Sequence, residues 1–298
     1  MKRKGIILAG GNGSRLYPLT KAINKQLLPV FDKPMIYYPI STLMLIGIRD
    51  ILLISRPQDL EIYKKLLSNG QQWGLDITYS IQESPNGLAE SFIIGKDFLQ
   101  NDPSVLILGD NIFYGDGLVR QLEDINDSSI GSYILGYLVK EAERYGVIEF
   151  SKKGKVIAIE EKPKYPKSNY AVTGLYFYDN TVTDRVRSLR PSKRGELEIT
   201  DLNNLYLKDN LLNVKLLSRG MAWFDTGTHE SLHEASSFIR SVENRQGMKI
   251  GCPEEIAWRH GWISSSHLEE LAIPFLNSSY GNYLKKLLED NNYPQNSK

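Results

Sequence analysis

Short apolar runs alternate with longer amphipathic ones through the first two thirds of the chain. Gly5–Ala9, Ile51–Ser55, Ile77–Gln82 and Val105–Gly109 are five or six residues long and rich in Ile, Leu and Val, the pattern of buried strands. Helical patterns lie between them: Met35–Ile46 just after Pro34, Asp59–Leu67 opening on an acidic residue, and Leu88–Phe98. This alternation predicts an α/β fold whose central sheet is mostly parallel and covered on both faces. Ligands of such sheets bind outside the carboxyl ends of the strands, so the residues directly after each strand are the first candidates for function.

From Ser132 the pattern changes. Tyr133–Val139, Gly146–Phe150 and Val156–Glu160 read as strands, with a hairpin turn at Ser151–Lys155, and Ala171–Tyr178 reads as another. Helical runs follow at Val182–Leu189 and Glu198–Leu207, strands at Asn213–Leu217 and Ala222–Phe224, and a long helix at His229–Asn244. After Gly251 come short helical patterns (Glu254–His260, His267–Leu271, Tyr283–Leu288), read as a small C-terminal helical appendage. No repeat of 20–50 residues and no low-complexity tract interrupts the chain.

Composition narrows the function classes. Thirty-six Lys and Arg against 35 Asp and Glu leave a net charge of +1 over 298 residues, without the basic field of a dedicated nucleic-acid binder. Hydrophobic residues at 41% and charged ones at 24% are ordinary globular values. The single cysteine, Cys252, has no intrachain partner, which points to a reducing, cytoplasmic setting. Lys2, Arg3 and Lys4 before Ile6–Leu8 imitate the start of a signal peptide, but Gly10, Gly11 and Arg15 end the apolar stretch too early. No run approaches the ~20 apolar residues of a membrane helix, so no membrane partner is expected.

The strongest chemical signal is Leu8-Ala9-Gly10-Gly11-Asn12-Gly13-Ser14-Arg15, followed by Lys25-Gln26. A buried strand that runs into three glycines lets backbone N–H groups approach a phosphate, and Arg15 and Lys25 add a fork and a point charge. A Walker loop would need Gly-Lys-Ser/Thr where Ser14-Arg15 follows Gly13, and a dinucleotide fingerprint would need glycine where Leu16 stands. Asp110 directly follows an apolar run, as Asp225 follows Trp223-Phe224. Two carboxylates at strand ends suit Mg²⁺, which is held by one or two carboxylates plus substrate phosphates, although either Asp alone reads as a turn or helix cap.

Gly11-x-Gly13-x-Arg15-x-x-Pro18-x-Thr20 with Lys25-x-x-x-Pro29 resembles the signature of sugar-nucleotide pyrophosphorylases. Gln82–Ala89, Leu108–Asn111, Glu160–Pro163, Arg194–Asp201 and Trp223–Thr228 together resemble one subfamily, the glucose-1-phosphate thymidylyltransferases, nearly end to end. The resemblance implies a single Rossmann-like nucleotidyltransferase domain over residues 1–245, with a nucleotide-binding part (about 1–130) and a sugar-binding part (about 131–245), then the appendage 246–298. It implies Mg²⁺-dependent attack of glucose 1-phosphate on the α-phosphate of dTTP, giving dTDP-glucose and pyrophosphate. Two unit charges ~5 Å apart repel by about 3 kcal/mol at an effective dielectric near 20, so local cations must decide the rate.

By resemblance, Arg15, Lys25, Asp110, Lys162 and Asp225 are catalytic, with Asp110 and Asp225 on the metal. Leu8, Gly10, Gly11, Gly13, Ser14, Gln26, Gln82, Pro85 and Gly87 join Arg15, Lys25 and Asp110 around the nucleotide. Gln82 offers a donor and an acceptor to a thymine or uracil edge. Asn111, Tyr145, Gly146, Glu161, Val172 and Thr173 are implied around the sugar, with Lys162 and Arg194 on its phosphate. Gly115 and the tail residues Cys252, Glu255 and Ile256 resemble a second, regulatory nucleotide site at a subunit contact, although Tyr114-Gly115-Asp116 departs from the usual Gly-His-Asp. A homotetramer is likewise implied.

Three rival readings remain. A UTP-using relative fits the same motifs. His229-Glu230-Ser231-Leu232-His233 matches the H-E-x-x-H zinc-protease signature, with Glu254 or Glu255 as a third ligand. A non-catalytic nucleotide-sugar sensor would have lost the catalytic groups, yet Arg15, Lys25, Asp110, Lys162 and Asp225 are all present.

Overall fold

The computed structural model describes residues 2–128 and 130–289. Thirteen strands are β1 (Lys4–Ala9), β2 (Pro29–Val30), β3 (Lys33–Pro34), β4 (Asp50–Ser55), β5 (Asp76–Ile81), β6 (Ser104–Leu108), β7 (Asn111–Tyr114), β8 (Ser132–Leu138), β9 (Gly146–Phe150), β10 (Val156–Glu161), β11 (Tyr170–Tyr178), β12 (Leu212–Leu216) and β13 (Ala222–Asp225). The central sheet runs β10-β9-β11-β6-β1-β4-β5, with β8 also on β11 and β12 on β8. It is mixed. Its first half, β6-β1-β4-β5, is wholly parallel, whereas β11 runs antiparallel to β6, β8 and β9.

The parallel half explains why its strands read as unbroken apolar runs. Ile7, Leu53, Val105 and Ile107 face one core, and Ile6, Leu8, Leu52, Ile54 and Leu106 face the other, so neither face of β1, β4 or β6 meets water, whereas the edge strand β5 exposes Asp76 and Thr78. Full burial of each such side chain contributes about 1.5–3 kcal/mol. The helix Tyr37–Leu45 covers the first face, and Phe92, Tyr178 and Tyr206 pack on the second. Strand order reverses between β1 and β6, which opens a crevice at their carboxyl ends, where the glycine loop and Asp110 stand.

One expected element is broken and one strand is new. Leu88–Phe98 is two short helices, Glu90–Ile94 and Lys96–Leu99, broken at Gly95. Gly95 lies so close to the sheet that a Cβ there would stand 3.1 Å from Ile6 and 2.9 Å from the Ser91 carbonyl. The short strand β7 was not foreseen; it pairs antiparallel with β13 outside the main sheet. The long helix forms as expected, His229–Gln246, opened by a capping box between Thr228 and Ser231.

After Gly251 the helices Pro253–Arg259, Ser265–Ala272 and Ser279–Glu289 enclose a small core of their own around Cys252, Leu268, Tyr280 and Leu284. The first of them packs on Tyr37–Leu45. The end of the expected appendage, 290–298, lies outside the described residues, as do Met1 and Ser129. No helix among the described residues is long and apolar enough to cross a membrane.

Candidate active site

The loop after β1 turns on Gly11 and Gly13, whose φ angles of +89° and +58° lie in the left-handed region that favours glycine. Around Gly11 nothing stands within 4 Å of where a Cβ would be, so the backbone there is open to a ligand. Gly13 faces inward instead, against Thr20, whose hydroxyl donates to the Gly13 carbonyl at 2.7 Å.

The short turn Lys25–Leu27 follows, and buried Asn24 holds its start. The Asn24 Oδ1 accepts from the Gln26 N–H (3.0 Å) and the Tyr63 hydroxyl (2.9 Å), while Nδ2 donates to Asp59 Oδ2 (2.7 Å). Lys25 is thereby presented to Asp110, with which it forms a close ion pair.

Two carboxylates converge because β7 and β13 pair with Asn111 opposite Asp225, which sets Asp110, one residue earlier, beside that rung. Thr226 reinforces the join: its N–H and Oγ1 both donate to the Asp110 carbonyl, at 3.1 and 2.8 Å. Asn111 is a crosspiece. Its Oδ1 accepts from Gly174 N–H (3.0 Å) and Trp223 Nε1 (2.6 Å), and its Nδ2 donates to Asp110 Oδ1 (3.0 Å).

The two acids titrate in opposite directions. Burial pushes Asp110 up, but the charge and hydrogen bond of Lys25, with the Asn111 bond, outweigh it and hold the carboxyl below its usual range. Burial also pushes Asp225 up, the Asp110 charge adds to this, and Lys25, Arg15 and Arg144 only partly offset them. Among the described residues no donor reaches the Asp225 carboxylate within hydrogen-bonding or ion-pair distance.

Across the cavity the cations are already engaged. Arg194 forks onto buried Glu198 (2.8–3.0 Å) and lies 3.3 Å from Glu196 and 3.6 Å from Glu161. Lys162, with an unusual φ of +44°, lies 3.6 Å from Glu161, whose other oxygen accepts from Thr200 Oγ1 at 2.6 Å. All these groups line one cavity of about 300 Å³ at the carboxyl ends of β1 and β6.

A family model described as nucleotidyl transferase matches residues 4–242. The chain is 57% identical over 286 residues to the glucose-1-phosphate thymidylyltransferase of Xanthomonas campestris pv. campestris, covering 96% of this chain and 97% of that protein. It is 56% identical to the Neisseria meningitidis serogroup A enzyme of that name (96% and 99% covered) and 52% to that of Mycobacterium tuberculosis (97% and 100%). This chain belongs to the glucose-1-phosphate thymidylyltransferases. It is an enzyme, a nucleotidyltransferase.

Among solved structures, a Bacillus anthracis protein assigned to the same family and holding sucrose superposes with a TM-score of 0.74 at 45% identity, covering 80% of this chain and 95% of that one. A UDP-glucose pyrophosphorylase complexed with UDP-glucose superposes at 0.69 with 25% identity, covering 81% and 100%. Sugar nucleotidyltransferases are in general metal-dependent.

Most of the residues nominated for this thymidylyltransferase meet in the cavity: Leu8, Gly10, Gly11, Arg15, Lys25, Gln26, Gln82, Pro85, Gly87 and Asp110 from the nucleotide set, and Asn111, Tyr145, Gly146, Glu161, Lys162, Val172 and Arg194 from the sugar set, with Asp225 beside Asp110. Three do not line it. Gly13 packs on Thr20, Ser14 opens an exposed 3-10 turn, and Thr173 is buried on the opposite face of β11, because Val172 and Gly174 take the cavity side and strand side chains alternate. Arg144, Tyr176, Glu198, Thr200 and Trp223 also line the cavity and were not foreseen. Of these, Glu198, Thr200 and Trp223 stood inside quoted motifs.

The residues nominated for a regulatory site lie elsewhere. Gly115 follows β7 against Met221, Cys252 precedes the helix Pro253–Arg259, Ile256 packs in the main core, and buried Glu255 accepts from Arg259 (2.8 Å) and Tyr283 (2.6 Å). The zinc-protease reading fares poorly. His229, Glu230 and His233 are exposed, the two candidate third ligands are buried among other partners, and no group of three or more potential ligands forms among the described residues.

Proposed function

We propose that the chain joins dTTP and α-D-glucose 1-phosphate into dTDP-glucose, releasing pyrophosphate, by in-line attack of the sugar phosphate on the α-phosphate. The observation that carries this reading is the single cavity in which an open glycine loop and the Lys25–Asp110 pair face Lys162 and Arg194 across two adjoining carboxylates. Residues up to about 130 supply the nucleotide side and residues 131–245 the sugar side, with 246–298 as the appendage.

On the nucleotide side, the backbone at Gly11 cradles phosphate, and Arg15 and Lys25 offset its charge. Gln82 has its Nε2 committed to Glu90 (2.7 Å) and the Gly87 carbonyl (3.3 Å), which leaves Oε1 to accept the N3–H of a thymine ring. Cytosine shows an acceptor at that position, and mismatching a buried amide costs about 1–3 kcal/mol.

The metal site fits Mg²⁺. Among the described residues Asp225 is a carboxylate without a donor, its pKa raised by burial and by the Asp110 charge, and these two acids would hold a hard divalent cation. Its charge would supply polarisation of the α-phosphate. Lys25 stays within reach of Asp110 and is free to follow charge onto the departing pyrophosphate. On the sugar side, Lys162 and Arg194 exchange their partners Glu161 and Glu196 for the phosphate of the sugar, while Glu161 and the Gly146 backbone meet its hydroxyls. Little covalent work falls to the protein; positioning and neutralisation carry the reaction. The enzyme acts in the cytoplasm as a homotetramer, which light scattering of purified protein would check.

Pyrophosphate release with glucose 1-phosphate and each of four nucleoside triphosphates tests the function. dTTP should be used best. Faster release with UTP would make the chain a uridylyltransferase, and no release with any of the four would overturn the reading.

A further inference from the structure

Arg56 immediately follows β4, the neighbour of β1, and so stands at the same sheet edge as the glycine loop. Its Nε donates to Asp59 Oδ2 at 2.6 Å, which anchors the half-buried side chain. That same Asp59 oxygen accepts from Asn24. Beyond the anchor, the guanidinium points back toward the loop: Nη1 lies 3.5 Å from Asn12 Oδ1, and Nη2 has no protein acceptor among the described residues. Beside it is a second cavity of about 70 Å³, lined by Asn12, Arg56 and Glu83 and sharing Gly11, Gln82 and Pro85 with the larger one. Glu83, although it lines this space, forms no ion pair with Arg56.

Arg15 does not serve this flank. Its guanidinium sits 3.4 Å from where a Cβ on Gly227 would be, on the side of the loop that carries Asp225. The loop is therefore flanked by two arginines: Arg15 beside the carboxylates where the α-phosphate reacts, and Arg56 across the open backbone at Gly11. A triphosphate cradled on this loop carries charge beyond the reacting phosphorus, and that outer charge grows as pyrophosphate departs.

We infer that Arg56 binds the terminal phosphate of the nucleoside triphosphate and the outer end of the pyrophosphate it becomes. An anchored guanidinium with unused donors suits such an oxyanion, because charge-assisted hydrogen bonds are about twice as strong as neutral ones. The inference rests on the proposed thymidylyl transfer. The competing role for Arg56 is structural, acting through Asp59 and Asn24 on the turn that carries Lys25.

The two roles separate by comparing dTTP with dTDP, which lacks only the outermost phosphate. In Arg56→Ala, calorimetric titration in Mg²⁺ should show dTTP weakened by about tenfold and dTDP by less than about twofold. In the reverse reaction the KM for pyrophosphate should rise by a similar factor while that for dTDP-glucose holds. Arg56→Lys, which keeps a charge, should recover part of the dTTP affinity, and serves as the readout if the alanine variant does not fold. Equal weakening of dTTP and dTDP, or no weakening of either, overturns the inference. A wild-type protein that makes no dTDP-glucose overturns the proposed function instead.

Discussion

The nucleotide flank and the sugar flank of the cavity hold the same kinds of charged groups in different states. Lys25 and Asp110 pair with only 13% of each side chain exposed, whereas 50% of Lys162 and 41% of Arg194 are exposed. The first pair sits in a low-dielectric setting where removing one partner strands a buried charge. The second set is bathed by solvent, and exposed ion pairs of that kind are each worth about 0–1 kcal/mol. Exchanging Glu161 or Glu196 for a phosphate is therefore cheap, with buried Glu198 left as the anchor of Arg194, and the sugar flank can reorganise on binding while the nucleotide flank is preset. Built-in order belongs where bond-making needs fixed geometry, and looseness where a substrate must enter.

The comparison breaks most readily at Lys25. Lys25→Ala should lower kcat by about 100-fold or more, with the KM for dTTP changing by less than about fivefold, because the lysine acts on charge that develops at departure. Equal losses in kcat and affinity would make it a simple binding group, no different in kind from the sugar-side cations. Arg194→Ala should give the opposite split: about tenfold to thirtyfold in the KM for glucose 1-phosphate, with nucleotide affinity retained. A fall in kcat alone would show that this flank too is preset.

Within the nucleotide flank the two aspartates sharpen the contrast. Asp225→Asn should raise the Mg²⁺ concentration at half-maximal activity by about tenfold. In the wild type the same quantity should climb on acidification from a pH above the ordinary aspartate value of 3.8, since the raised pKa lets protons compete with metal early. An unchanged metal titration in the variant would remove Asp225 from the site.

The smallest effect is on stability without metal. A carboxyl whose pKa is raised on folding destabilises the fold above that pKa, and the penalty fades as pH falls through it. Asp110 has the reverse sign: its contribution is present above 3.8 and lost as pH falls below. At neutral pH, Asp225→Asn should therefore raise Tm by about 1–3 °C and Asp110→Asn should lower it. Two shifts of the same sign would show that the acids do not differ as described.

Much of this was readable in the chain. Strand after strand of Ile, Leu and Val betrays a sheet buried on both faces, since a half-exposed strand would alternate. Three glycines between a strand and an arginine mark a backbone that must turn where side chains would intrude. The long helix read at His229–Asn244 was local as well. Such features involve residues within a few positions of one another, and propensity and periodicity report on that range.

What only the tertiary structure decided involves distant partners. Asp110 and Asp225 were paired in the sequence only through their strand-end positions and the resemblance of the motifs around them; the β7–β13 rung is what makes them neighbours. Their opposite titration follows from one lysine that reaches Asp110, while Asp225 meets burial and the Asp110 charge with no donor among the described residues. Asn24 and Asp59 look like ordinary polar loop residues until the fold buries them together behind the Lys25 turn. Thr173 looked like a pocket residue until the phase of β11 turned it away. Local steric and hydrophobic rules act over a few bonds, so one dimension records them; burial and electrostatics depend on what the fold brings close, and those neighbours are set only when the sheet closes.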